Sequence, residues 1–134
     1  MYRLKISGTN EMPDSATKCR FLIVSPDKKK VYITSLMLNT VFSVDLHTEE
    51  IKTFNHGIKE PSGIAIDPKN GTIFVSSRGS KNVETFNAQL GHLGPFMMKN
   101  NMAPIGLCFH NDDLYVATNE YKLILKMAIE YASK

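Results

Sequence analysis

The stretch from Pro61 to Asn87 repeats the stretch before it. Aligning Val24-Ser25-Pro26 with Ile66-Asp67-Pro68 sets an offset of 42 residues (66 − 24), and the same offset superposes Val31-Tyr32-Ile33-Thr34 on Ile73-Phe74-Val75-Ser76 and Val41 on Val83. A third copy follows. Pro104-Ile105-Gly106-Leu107 echoes Pro61-Ser62-Gly63-Ile64, and Leu114-Tyr115-Val116-Ala117 echoes the Ile73 segment after a two-residue deletion. A unit of this length made only of short strands and turns cannot cover its own apolar faces, so it must stack on its neighbours.

Each unit reads as a small antiparallel sheet. Phe21 to Val24 and Gly63 to Ile66 are short, nearly continuous apolar runs, as expected of inner strands buried on both faces. Pro26-Asp27-Lys28-Lys29-Lys30 and Asp67-Pro68-Lys69-Asn70-Gly71 break them, because Pro fixes φ while Asn and Gly tolerate positive φ in a tight turn. β-branched and aromatic second strands follow at Val31–Thr34, Thr72–Ser76 and Leu114–Ala117. Third strands at Thr40–Leu46, Asn82–Phe86 and Lys122–Met127 alternate apolar with polar residues. More polar outer strands are expected at Glu50–Phe54 and about Gly94–Met98, and no stretch keeps a helical period. The expected fold is therefore all-β, with three blade-like, four-stranded antiparallel repeats of a β-propeller.

The residues themselves point to known repeat types. Val24 to Thr34, continued by Asn39-Thr40-Val41-Phe42-Ser43-Val44-Asp45, resembles the YVTN propeller repeat, and Pro61 to Pro68 with Gly71-Thr72-Ile73-Phe74-Val75 resembles the NHL repeat. The resemblance covers about residues 19 to 134 and implies a fold rather than a chemistry, since such repeats serve adaptors, RNA binders, lactonases and lyases alike. Repeat three departs from the pattern, with His110-Asn111-Asp112 in place of the Asp-Pro turn and no usual closing strand after Tyr131.

The expected organisation is one structural domain: an N-terminal strand and connector over 1–18, repeat one over 19–60, repeat two over 61–103, and an incomplete repeat three over 104–134. Propellers usually close with four to eight blades, so three leave two apolar faces open. Tyr2 to Ser7 is strand-like and could complete repeat three of another copy, making the chain half of a six-bladed ring. The rival expectation is a partner chain, or further blades, completing the propeller.

Composition bounds the function without naming it. Hydrophobic residues at 43% and charged residues at 22% are ordinary for a globular domain, and a net charge of +3 carries no argument for nucleic acid. Lys28 to Lys30 read better as a solvated turn than as a phosphate patch. No apolar run reaches transmembrane length, and no signal-peptide core follows Met1, so the expectation is a cytoplasmic chain with no membrane partner, unless an upstream targeting segment is missing. Cys108 stands where repeat two has Ala65 and is expected to pack as a small apolar side chain; with Cys19 it makes neither a disulfide framework nor a zinc motif. Met97, Met98 and Met102 with Phe96 read as packing between blades, and the serines at 76, 77 and 80 as turn partners for backbone. There is no Gly-x-Ser-x-Gly elbow, no His-Glu-x-x-His and no phosphate-binding Gly-rich loop.

The propeller resemblance implies where a site would lie. Loops joining second to third strands, and those joining consecutive blades, gather at one mouth of the central channel. Leu36, Arg78 and Asn119 hold equivalent positions there, near Asn39, Lys81, Glu120 and Lys122, and the connecting loops add His56, Lys59, Glu60, Asn100 and Asn101. Arg78, Asn119, Asn39, His56 and Glu120 are the candidate ligand-binding residues. Arg78 leads them, because its fixed fork of donors suits an anionic or carbonyl ligand. The expected function is a binding or scaffolding module that holds a protein or other ligand at the mouth, with no catalytic residue, metal or cofactor. The alternative is a lactonase- or lyase-like enzyme with a divalent cation such as calcium, for which Glu60 and Glu120 are the only suitably placed acids.

Overall fold

The computed structural model describes residues 19–98, 101–119 and 124–129. Eleven strands are found among them: β1 (Cys19–Val24), β2 (Lys30–Ser35), β3 (Thr40–Asp45), β4 (Ile51–Phe54), β5 (Pro61–Ile66), β6 (Ile73–Ser77), β7 (Asn82–Phe86), β8 (His92–Met97), β9 (Pro104–His110), β10 (Asp113–Thr118) and β11 (Ile124–Ala128). Their hydrogen bonds form two four-stranded sheets, β1-β2-β3-β4 and β5-β6-β7-β8, and a sheet with three described strands, β9-β10-β11. All pairings are antiparallel between sequence neighbours, which makes each sheet a meander. Tyr2–Ser7 and the chain after Tyr131 lie outside the described residues.

Register follows the repeat. Val24 pairs with Val31, Ile66 with Ile73 and Phe109 with Leu114; Tyr32 faces Ile23, Phe74 faces Ala65 and Tyr115 faces Cys108. Positive φ recurs with the same spacing at Asn39 (φ 51) and Lys81 (φ 57), one residue before β3 and β7. Repeat three compresses its first turn to Asn111 and Asp112, both at positive φ (48 and 67), which is the two-residue hairpin geometry that fits the twist of the strands. The deletion seen in the sequence is therefore a change of turn and leaves the pairing intact.

Alternation divides the side chains of β6 between two cores. Ile73 and Val75 join Tyr32, Val41, Phe54, Ile58, Ile64, Ile66 and Phe86 between the first and second sheets. Phe74 joins Ala65, Val83, Met98, Leu114 and Val116 between the second and third. Phe74 stacks on Phe109 of the next sheet at 5.7 Å and on Phe96 of its own at 6.3 Å, while Tyr32 and Phe54, at the equivalent places of the first sheet, meet edge-on at 6.0 Å. Burying such a ring contributes about 1.5–3 kcal/mol, so the second sheet is held from both sides.

The outer sheets differ from expectation on their far faces. Leu22 and Val24 are 67% and 47% exposed, and Cys108, expected to pack, is exposed as well; Phe21, on the face of β1 toward the second sheet, is also 47% exposed. The reason is positional: among the described residues β1 has a neighbouring blade on one side only, the side opposite Leu22 and Val24, and Cys108 lies on the face of β9 turned away from the second sheet.

Seating of the second and third sheets depends on Gly63. A Cβ there would stand 2.4 Å from the carbonyl oxygen of Ile105 and 2.8 Å from the nitrogen of Leu107, both backbone atoms of β9. Gly63→Ala must push two inner strands apart, and the expected loss is at or above the 1–3 kcal/mol of ordinary overpacking, read by denaturant unfolding. At the opposite end of the first sheet, Asp45 accepts hydrogen bonds from the amides of Thr48 (2.9 Å) and His47 (2.8 Å), which hold its carboxyl below the ordinary value of 3.8. A depressed carboxyl contributes stability above its unfolded value and loses it as pH falls through the folded one. Carboxyl NMR titration should therefore place the Asp45 midpoint below 3.8, with the 45–50 turn loosening only under that pH.

Candidate functional site

The connection between the first and second sheets, residues 55–60, crosses one end of both. The amide of Glu60 donates to Oδ1 of Asn39 (2.8 Å), and the carbonyl of Glu60 accepts from the amide of Arg78 (3.3 Å). The amide of Gly79 donates to the carbonyl of Lys59 (2.9 Å), and the amide of Lys59 donates to Oγ of Ser77 (2.8 Å), which also meets the Ser80 hydroxyl. Two equivalent turns, 36–39 and 78–81, are thus tied to one strap. Asn39 suits its role because its short side chain tolerates positive φ while offering an acceptor. Gly79 suits its own because a Cβ would collide with the Lys59 stem (2.6 Å) and crowd the Glu60 carboxylate (3.0 Å).

Of the five candidate residues, Asn39 and Arg78 meet through the Glu60 backbone. Arg78 is half-buried, and its guanidinium makes no ion pair among the described residues. Asn119 is exposed just past β10, at the equivalent turn of the third sheet. Glu120 lies outside the described residues. His56 is on the same strap but four residues before Glu60, with its ring stacked on His92 at 4.2 Å.

That stack belongs to a polar cluster missed in the sequence. Glu84 is 3% exposed, and its Oε2 lies 2.7 Å from Nε2 of His92, which donates to it. Gly57, at φ 75, lets the strap backbone lie against this carboxylate, since a Cβ there would come within 2.7 Å of Oε1. Aligning the repeats shows why the carboxylate is unusual: Glu84 occupies the place of Phe42 and Leu125, apolar positions of the same strand. Such a substitution in an otherwise apolar repeat position was the available signal. The cluster anchors the outer end of the strap, while Ser77, Arg78 and Asn39 anchor the inner end.

No family profile and no curated protein sequence matches the chain. Solved structures do match in fold. A catalytically inactive virginiamycin B lyase from Staphylococcus aureus with quinupristin superposes with a TM-score of 0.75 at 15% identity, over 90% of this chain and 40% of that one. A nidogen/laminin complex gives 0.73 at 12% identity, over 86% and 44%. Regucalcin from Agrobacterium tumefaciens, a calcium-binding protein, gives 0.70 at 18% identity, over 83% and 45%. The chain spans less than half the length of each of these neighbours. At such identities the likeness shows the fold alone: this chain is built of β-propeller blades.

The polar cluster generates a test of its own. His92→Ala leaves a buried carboxylate without its partner and should cost about 1–3 kcal/mol, whereas adding Glu84→Leu, which restores the residue of the third repeat, should recover most of it. Equilibrium unfolding of the two single variants and the double variant measures the coupling.

Proposed function

We propose that the chain is a binding or scaffolding module whose working surface is the end of the sheets where the 36–39 and 78–81 turns meet the 55–60 strap. The observation that carries this reading is Arg78. Its backbone is pinned by Glu60 and its turn by Gly79, yet its guanidinium is unpaired among the described residues. A rigid base that presents a planar fork of donors is suited to a carboxylate or carbonyl of a protein ligand. Asn119 extends the surface toward the third sheet, and His56 stands at the outer end of the strap. A partner that covers the open blade faces is part of this reading.

An enzymatic reading with a divalent ion has weaker support. Among the described residues, no group of three or more His, Cys, Asp or Glu side chains is placed to hold a metal ion, and hard cations need several converging oxygens. The neighbours in fold include lyases as well as a binding complex, so fold does not choose between the two.

Fluorescence anisotropy with a labelled hexaglutamate peptide tests the binding reading. Arg78→Ala should weaken binding by about 1–3 kcal/mol, roughly 5- to 150-fold, as loss of a charge-assisted hydrogen bond does, with unfolding behaviour unchanged. Lys29→Ala, in a hydrated turn at the other end, should change it less than about twofold. Equal losses at the two positions would reduce the binding to general charge attraction. Calorimetric titration with calcium supplies the other arm: tight binding abolished by Glu60→Gln or Glu120→Gln would replace this reading with the enzymatic one.

A further inference from the structure

Gly106 stands where repeat two has Gly63, yet the two glycines have different surroundings. Gly63 is a glycine because the backbone of the next blade's inner strand lies against it, with Ile105, Gly106 and Leu107 all within 3.0 Å of a Cβ built there. Among the described residues, a Cβ on Gly106 would touch only Ala117, its partner within the sheet, at an ordinary 3.6 Å. The third sheet therefore carries the device for close approach of another inner strand, and no described strand makes that approach. The face around it is of the kind that makes such seams. Cys108, Tyr115 and Ile124 hold the places of Ala65, Phe74 and Val83, and Ile124 is 75% exposed.

The first sheet carries the complementary need. Leu22 and Val24 hold the places of Ile64 and Ile66 and of Leu107 and Phe109, which pack against a preceding blade. Leu22 and Val24 are 67% and 47% exposed, while Phe42 and Val44, farther out on the same face, are already buried. Among the described residues, the exposed part of this face is Leu22 and Val24 of the inner strand, the element whose equivalent meets Gly63 at the existing seam.

We infer that the β9 face around Gly106 receives the β1 face of a second copy of this chain, head to tail, and that the reciprocal contact closes a two-chain ring of six blades. The inference builds on the completion by a partner invoked above and names that partner. Both seams are the same heterologous contact, β9 of one copy against β1 of the other, and a two-fold axis relates them so that no blade face stays open. Six blades lie inside the range in which propellers close.

Sedimentation equilibrium on the purified chain should give twice the chain mass. Gly106→Val fills the approach with a residue that β-strands accept, in space open among the described residues, so its circular dichroism should be unchanged while dimerisation weakens at least tenfold. Leu22→Glu should do the same from the other face. Mixing the two variants decides the geometry. Each mixed pair retains one intact seam, the Gly106 face of the Leu22→Glu chain against the Leu22 face of the Gly106→Val chain, so the mixture should associate where neither variant does alone. A wild-type monomer, dimerisation indifferent to either substitution, or a mixture no more associated than its components would each overturn the inference. None of these outcomes bears on Arg78, whose peptide binding is scored separately on the wild-type chain.

Discussion

A four-stranded blade has two apolar faces and no means of covering either, and the rest of this structure answers that constraint. β6 shows it in five residues, all buried, with Ile73 and Val75 turned to one core and Phe74 to the other. Because side chains in a strand alternate with period two, no choice of sequence gives such a strand a solvent face while both neighbours are present. The contacts between sheets therefore decide stability, and the contacts within them decide register.

This division explains what could be read from the sequence. The repeat offset located most strands to within a residue or two, because the same core layers demand the same residue kinds at the same places, as Tyr32, Phe74 and Tyr115 show. Positions of the turns were legible from Pro, Asn and Gly, though not the type of the Asn111-Asp112 turn, which depends on backbone angles. The solvent face of β1 was not legible. A run such as Phe21-Leu22-Ile23-Val24 looks the same whether a neighbour covers it or not, since residue kinds record burial only where the neighbour is also in view.

The candidate site divides in the same way. Equivalence among repeats brought Arg78, Asn39 and Asn119 to comparable turns, but the role of Glu60 could not be foreseen, because it acts through its backbone amide and carbonyl and any residue supplies those. The Glu84–His92 pair is the opposite case. Its chemistry is in the side chains, and it stands out once Glu84 is set beside Phe42 and Leu125. A buried carboxylate in an apolar layer costs stability unless its partner is supplied, and here outer strand β8 supplies it through His92 while the strap closes over both through Gly57 and His56.

The two seams are not built alike. At the seam of the second and third sheets Gly63 admits backbone-to-backbone approach, whereas at the seam of the first and second the same place holds Phe21, 47% exposed. The first seam is held instead by other contacts, with the Thr34 hydroxyl donating to the carbonyl of Ser62 at 2.8 Å and Phe54 meeting Phe86 at 4.8 Å. The 55–60 strap crosses this seam, and through the Glu60 backbone it joins the Asn39 turn of the first sheet to the Arg78 turn of the second.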